Sequence, residues 1–223
     1  MSSAEFPLYE LKNFSLSVGG RQLFLPVDLQ IHRRMLVRIA GENGVGKSTL
    51  LKYLAGLPVS FTGDVRSRHN PQKVLLISQL HGLKAQLPYS LGEVAELVAS
   101  RKGNLPARQS SEGSELFETV HWFAPEIAQK AWNHASGGER MRAMLAGAFL
   151  SGAEVLLLDE PFNHLDARGA RLICDAMCEC ISSEKSSTTA IIFVAHEQGM
   201  KMNDGLGQSV ATIELKSSDL TVS

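Results

Sequence analysis

With 223 residues the chain has room for one large domain or two small subdomains, and 44% hydrophobic with 20% charged residues is the balance of a globular protein with a core. A net charge of −1 gives the chain as a whole no pull toward nucleic acid or anionic lipid, so nucleic acid is not expected as a partner. Three cysteines, an odd number crowded at Cys174, Cys178 and Cys180, argue against a disulfide framework.

The opening stretch, MSSAEFPLYELKNF, has neither a basic n-region nor an apolar h-region and does not read as a secretory signal. No run reaches the roughly 18 to 20 apolar residues that a membrane span needs. The densest, Ala143 to Leu158, is broken by Ser151, Gly152 and Glu154, so a soluble protein that stays where it is made is expected. Leu8 to Val18 and Leu23 to Ile31 alternate in polarity around Gly19-Gly20, the pattern of a hairpin. MLVRIA (35–40) is a short apolar strand that runs into glycines, and TLLKYLAG (49–56) reads as a helix capped by Gly56. KVLLIS (73–78), VLLLD (155–159) and AIIFVAH (190–196) are nearly continuous apolar runs, as expected of strands buried on both faces of a parallel sheet. Between Ser78 and Ala135 the strand signals stop. Leu91 to Ser100 and Glu115 to Ala131 look helical, separated by a polar loop over 101–114. Near the end, Cys174 and Cys178 share a helix face and Cys180 points elsewhere, which suits small buried thiols better than a metal site lacking a fourth ligand.

Three motifs carry chemistry. Gly41-Glu42-Asn43-Gly44-Val45-Gly46-Lys47-Ser48-Thr49 has the G-x-x-x-x-G-K-[ST] spacing with a strand before it and a helix after it. Its glycines let successive N–H groups turn inward on phosphates, and the helix adds the positive end of its dipole. Lys47 is of a length to reach the β and γ phosphates, and Ser48 is a ligand for Mg²⁺. The strand at 155–159 delivers Asp159 and Glu160 at its C-terminal end, where open α/β sheets bind ligands. Asp159 is expected to hold Mg²⁺ through water and Glu160 to polarise an attacking water. Ser136-Gly137-Gly138-Glu139 opens a third element: Ser136 is an N-cap and Glu139 completes a capping box. The glycine pair costs helix stability and clears side chains from a positive helix end, which makes a second anion site.

These motifs, in this order, resemble the ATPase cassette of the ABC family. Ser136-Gly-Gly-Glu139 resembles its signature, Gln79 after the strand 73–78 its Q-loop glutamine, His164-Leu165-Asp166 its D-loop, and His196 after the strand 190–195 its switch histidine. Ala135 stands where the family usually has Leu, and Glu139 where Gln is commonest. Arg34-Met35 replaces a usual Gly-Glu turn, and Val18 occupies the place from which the family commonly presents an aromatic ring to the adenine.

The resemblance implies an α/β fold: a P-loop NTPase core (about 1–79 and 136–223) with an antiparallel β subdomain, and a helical lobe over about 80–135. It implies ATP hydrolysis by Glu160, His196, Lys47 and Gln79, nucleotide contacts from residues 41 to 49, Ser136, Gly137, Gly138 and Asp166, and Mg²⁺ on Ser48, Gln79 and Asp159. Two copies, or one copy and a homologous cassette, would pack head to tail with each ATP between Lys47 of one chain and Ser136 of the other. The further partners implied are integral-membrane permease subunits on whose cytoplasmic face the chain would sit, with Leu83, Leu87, Tyr89, Trp122, Phe123 and Trp132 as apolar residues of which two or three face the partner. The segment KVLLISQLHGLKAQLPYSLGEVAEL is loosely similar to metal-ion importer ATPases. Phe162-Asn163-His164-Leu165-Asp166 resembles the translation-factor branch, whose members carry two cassettes, and supports the alternative of a soluble ATPase acting on ribosomes or nucleic acid. Valine at position 18 offers a base no π-face, so ATP and GTP are expected to bind within about tenfold of each other, unless Phe14 or Phe24 swings into that place.

Overall fold

A computed structural model describes residues 7–65, 73–78, 88–100, 123–183, 186–195 and 210–218. Its centre is a five-stranded parallel sheet in the order β6-β7-β8-β4-β9, built from β4 (Met35–Gly41), β6 (Val74–Ile77), β7 (Val155–Asp159), β8 (Ala190–Val194) and β9 (Val210–Leu215). Every residue of β7 and β8 is buried, which is why both read as nearly continuous apolar runs, broken only by Asp159 at the end of β7. Successive side chains go to opposite faces. Val155, Leu157, Ile192, Val194, Val37 and Ile39 join one core, and Leu156, Leu158, Ile191, Phe193 and Leu36 join the other.

The first core is closed by α1 (Lys47–Leu54) and by an antiparallel sheet of β1 (Tyr9–Val18), β2 (Arg21–Gln22), β3 (Val27–Ile31) and β5 (Ser60–Val65), all paired with β1. The hairpin turns at Gly19-Gly20 as expected, but the strand expected over 23–31 is split. Pairing with β1 begins two residues earlier, at Arg21–Gln22, and the ladder with β1 resumes in β3 after Pro26, which has no N–H to give it. In β1 the register shifts at Asn13, whose φ is 47°, and its N–H donates to the Asp28 carboxylate at 2.7 Å, so the bulge leaves no orphan donor.

Helix α1 begins at Lys47, two residues before the expected start, and its C-cap is Ala55; Gly56 follows at φ 77°. Hydrogen bonds from Gly56 N to Tyr53 O (2.9 Å) and from Leu57 N to Lys52 O (3.0 Å) close the helix in the pattern typical of a left-handed residue one step past the cap. Arg34 takes φ 59° where a glycine would be unstrained, and its N–H donates to Thr189 O, which ties the turn before β4 to the residue preceding β8.

The second core packs against α2 (Leu91–Ser100), α4 (Gly137–Leu150) and α5 (Ala167–Ser182). Helices α2 and α4 approach so closely at Gly147 that a Cβ there would lie 2.3 Å from Ala95 O. The helix expected over 115–131 is corrected: in its described part only one turn, α3 (Pro125–Ala128), is helical. Pro125 drives the preceding residue out of the helical region, and Ala124 is extended at ψ 148°. The strands β5 and β9 have no counterpart in the sequence reading. Both lie at the edge of a sheet, where β9 alternates partly exposed with more buried positions and β5 carries Gly63 and Asp64. Among the described residues no helix is long and apolar enough to cross a membrane.

Candidate nucleotide site

Because the five strands are parallel, β4, β7 and β8 end at one edge of the sheet, and β8 lies between the other two. The glycine loop leaves the end of β4 and enters α1 through Gly46, at φ 107°. A side chain at Gly46 would meet Leu23 at 2.9 Å and would need a left-handed backbone as well, so only glycine suits the position. Lys47 is buried, and its Nζ donates to Gly41 O at 2.8 Å and Glu42 O at 2.9 Å, spanning the loop that it follows. Burial lowers the Lys47 ammonium from its ordinary range, opposed by the nearby carboxylates of Glu160 and Asp159.

The two motifs meet. Ser48 Oγ donates to Asp159 Oδ1 at 3.0 Å, joining residues 111 positions apart in the chain. Asp159 is only 7% exposed; burial raises its carboxyl above the usual range, and the Ser48 hydrogen bond pulls the other way. Glu160 extends the pairing with β8 through its N–H to Val194 O at 3.1 Å, then turns at φ 54°. The turn Glu160-Pro161-Phe162-Asn163 closes with Asn163 N to Glu160 O at 3.1 Å, and the Asn163 side-chain amide donates to Glu160 Oε2. Asn163 had been singled out only as part of a family resemblance. The local signal that marks it is Pro161 at the second position of a four-residue turn, which brings the fourth side chain back over the first.

Ser136 caps α4 as expected: its Oγ accepts from Glu139 N at 3.2 Å, and Glu139 Oε2 accepts from Ser136 N at 2.8 Å. Lys130 binds the same carboxylate at 2.8 Å and, with the Ser136 N–H, holds it below its usual range. Asp166 caps α5 by accepting from Gly169 N at 2.7 Å. Between these caps lies a contact that the sequence did not announce. His164, at φ 67°, packs its ring against Gly137, and its carbonyl oxygen would be 2.5 Å from any Cβ at Gly138. The glycine pair therefore accommodates the backbone that leaves Glu160. Gln79 and His196 lie outside the described residues, as do Leu83, Leu87 and Trp122. Phe123 and Trp132 are each 1% exposed and belong to the interior, while Tyr89 is partly buried and packs against the same core.

Val18 is 56% exposed. Phe14 and Phe24 are fully buried, and the Phe14 ring is fixed against Tyr53 and Phe61 at 4.7 and 5.8 Å, so neither phenylalanine is placed to swing toward a base. Cys174 is buried and its thiol is pushed up to about 12, chiefly by that burial, so it packs as a neutral thiol.

Residues 24–163, more than half of the chain, match the family model described as ABC transporter. The chain belongs to the ABC transporter family. It is 34% identical over 197 residues to the ATP-binding protein Uup of Caulobacter vibrioides, covering 88% of this chain and 29% of that one. It is 31% identical over 165 residues to the zinc import ATP-binding protein ZnuC of Hydrogenovibrio crunogenus, covering 73% and 64%. The chain thus spans less than two thirds of the length of either relative. Its fold is similar to that of an ATP-binding cassette solved as a dimer in a post-hydrolysis state with ADP and phosphate, at a TM-score of 0.69 and 21% identity over 93% of this chain and 94% of that one. The parallel sheet, the P-loop between β4 and α1, and the acids at the end of β7 form the α/β core of the ATP-binding cassette fold.

If Asn163 holds the Glu160 carboxylate in place, Asn163→Ala lowers kcat by about tenfold with KM for ATP little changed, since a positioning group acts on the reacting geometry more than on uniform binding. Steady-state kinetics on Asn163→Ala, with Asn163→Gln as a longer amide for partial rescue, checks this. A rise in KM with unchanged kcat would assign Asn163 to nucleotide binding instead.

Proposed function

We propose that the chain is the ATP-binding and ATP-hydrolysing subunit of an ABC transporter, which powers transport through separate membrane subunits by sandwiching ATP between two cassettes. The observation that carries this is the 3.0 Å contact of Ser48 with Asp159, which brings the phosphate loop and the strand-end acids together in a chain of the ABC transporter family. In this reading residues 1–79 and 136–223 form the nucleotide-binding core and about 80–135 a helical lobe toward the membrane partner. The second cassette is another copy or a homologue, and the assembly sits on the cytoplasmic face of the membrane.

The N–H groups of residues 41 to 49 and the Lys47 ammonium take the phosphates. Ser48 on α1 and the buried Asp159 at the end of β7 are adjacent hard oxygen donors that fit Mg²⁺, with Gln79 as a further ligand. Bound there, the ion would neutralise charge on the β and γ oxygens. Glu160, held by Asn163, accepts a proton from the water that attacks the γ phosphorus; the bond to the β–γ bridging oxygen breaks, and ADP and phosphate form. His196 orients the γ phosphate and the water through its imidazole. Ser136, Gly137 and Gly138 present the N-terminal end of α4 to the γ phosphate bound by the other cassette, and Asp166 shapes the D-loop between the two sites.

Affinity purification of the tagged chain from detergent-solubilised membranes of its own host tests the transporter reading. A multi-span membrane protein is expected to copurify and to alter ATP turnover when reconstituted with the chain. Recovery with ribosomes or nucleic acid, and with no membrane protein, would overturn it in favour of a soluble ATPase.

A further inference from the structure

The phosphate loop has a second wall. A cavity of about 260 Å³ opens between loop residues 42 to 45 and three residues from outside the loop: Arg21, Leu23 and Ser217. That is just under the roughly 300 Å³ at which pockets for drug-sized ligands begin, a volume suited to one ring system. Leu23 lies against Gly46, the N-cap of α1. The strap after β9 is held at two points: a bridge between Phe24 and Ser217, with Leu25 N donating to Lys216 O at 2.9 Å, and Ser218 Oγ donating to Gln22 O at 2.7 Å. Val18, the residue expected to face the base, is not part of this wall.

We propose that Arg21 is the platform for the nucleobase, its guanidinium plane stacking on the purine ring while Leu23 and Ser217 border the ring. The inference rests on the reading of residues 41 to 49 as the phosphate site. A guanidinium is planar and delocalised and stacks on aromatic faces, and among the described residues lining the cavity Arg21 alone carries one. The cavity adjoins the first half of the loop, so a base seated there stays covalently linked to phosphates held by the second half. Stacking does not read the edge of a base, so Arg21 would serve adenine and guanine alike, and ATP and GTP are expected to bind within about tenfold of each other.

Isothermal titration of wild type, Arg21→Ala, Arg21→Lys and Val18→Ala with Mg²⁺-ATP, Mg²⁺-GTP and inorganic tripolyphosphate tests the proposal. Arg21→Ala is expected to weaken both nucleotides by about tenfold and tripolyphosphate by less than about threefold. Arg21→Lys, which keeps the charge and loses the plane, is expected to weaken ATP nearly as much, and Val18→Ala is expected to bind as wild type does. Retained tripolyphosphate binding also shows that the variants are folded. Equal weakening of ATP and tripolyphosphate in Arg21→Ala would make Arg21 a phosphate ligand and overturn the platform, as would unchanged ATP binding. If wild type binds neither ATP nor tripolyphosphate, the phosphate-site reading itself falls and the platform with it.

Discussion

Glu160→Gln is expected to bind ATP as wild type does and to turn it over about 10²-fold or more slowly, the range that a positioned general base supplies. The substitution removes the proton acceptor and little else. The amide has the shape of the carboxylate, its oxygen can still accept from Asn163, and Gln replaces Glu without a larger backbone penalty at φ 54°. With hydrolysis blocked, ATP stays between the two cassettes, so a dimer that forms only with ATP is expected on size exclusion. Near-normal turnover in the variant would remove Glu160 from the chemistry.

Mixing two inactive variants is expected to restore activity. A Lys47→Ala chain damages the site on its own P-loop, and a Ser136 variant damages the site on its partner's. Each homodimer therefore has two damaged sites, whereas the mixed dimer has one site damaged twice and one intact. Random pairing makes half the dimers mixed, so about a quarter of wild-type turnover is expected from an equal mixture if the sites fire independently. The structure decides which Ser136 variant to use. The Ser136 hydroxyl accepts from Glu139 N, so Ser136→Ala also loses a helix cap, a cost of about 1 kcal/mol, and Ser136→Asp keeps the cap while setting a negative charge against phosphate. Turnover and ATP-dependent dimer formation are both read. If no mixture exceeds either parent in either measurement, Ser136 does not act across the interface.

The local patterns of the chain were sufficient for four of the five strands of its parallel core, β4, β6, β7 and β8, and for its main motifs. Runs such as 155–158 and 190–194 are apolar because both faces of a central strand are covered, and this constraint is written into each of these residues. The P-loop spacing and the capping box at Ser136 are equally local, each complete within a few residues. Edge strands were harder to see. Among the described residues β5 and β9 each pair on one side only and, unlike β6 at the other edge of the parallel sheet, neither carries a continuous apolar run. In the described part of the helix expected over 115–131, only Pro125–Ala128 is α-helical, and the steric demand of Pro125 on Ala124 is itself a local fact.

By itself, then, the sequence determined the elements that a short window can specify: buried strands, a glycine loop between strand and helix, capped helices and two acids at a strand end. Only the tertiary structure decided which of these meet. Ser48 reaches Asp159 across 111 residues, His164 fills the space that Gly137 and Gly138 leave open, and Ser217 arrives beside Arg21 and Leu23 from near the far end of the chain. The reason is physical. Periodicity and capping are set by neighbours along the backbone, whereas these contacts depend on strand order, and an order in which β8 lies between β4 and β7 leaves no mark on any one of the three strands.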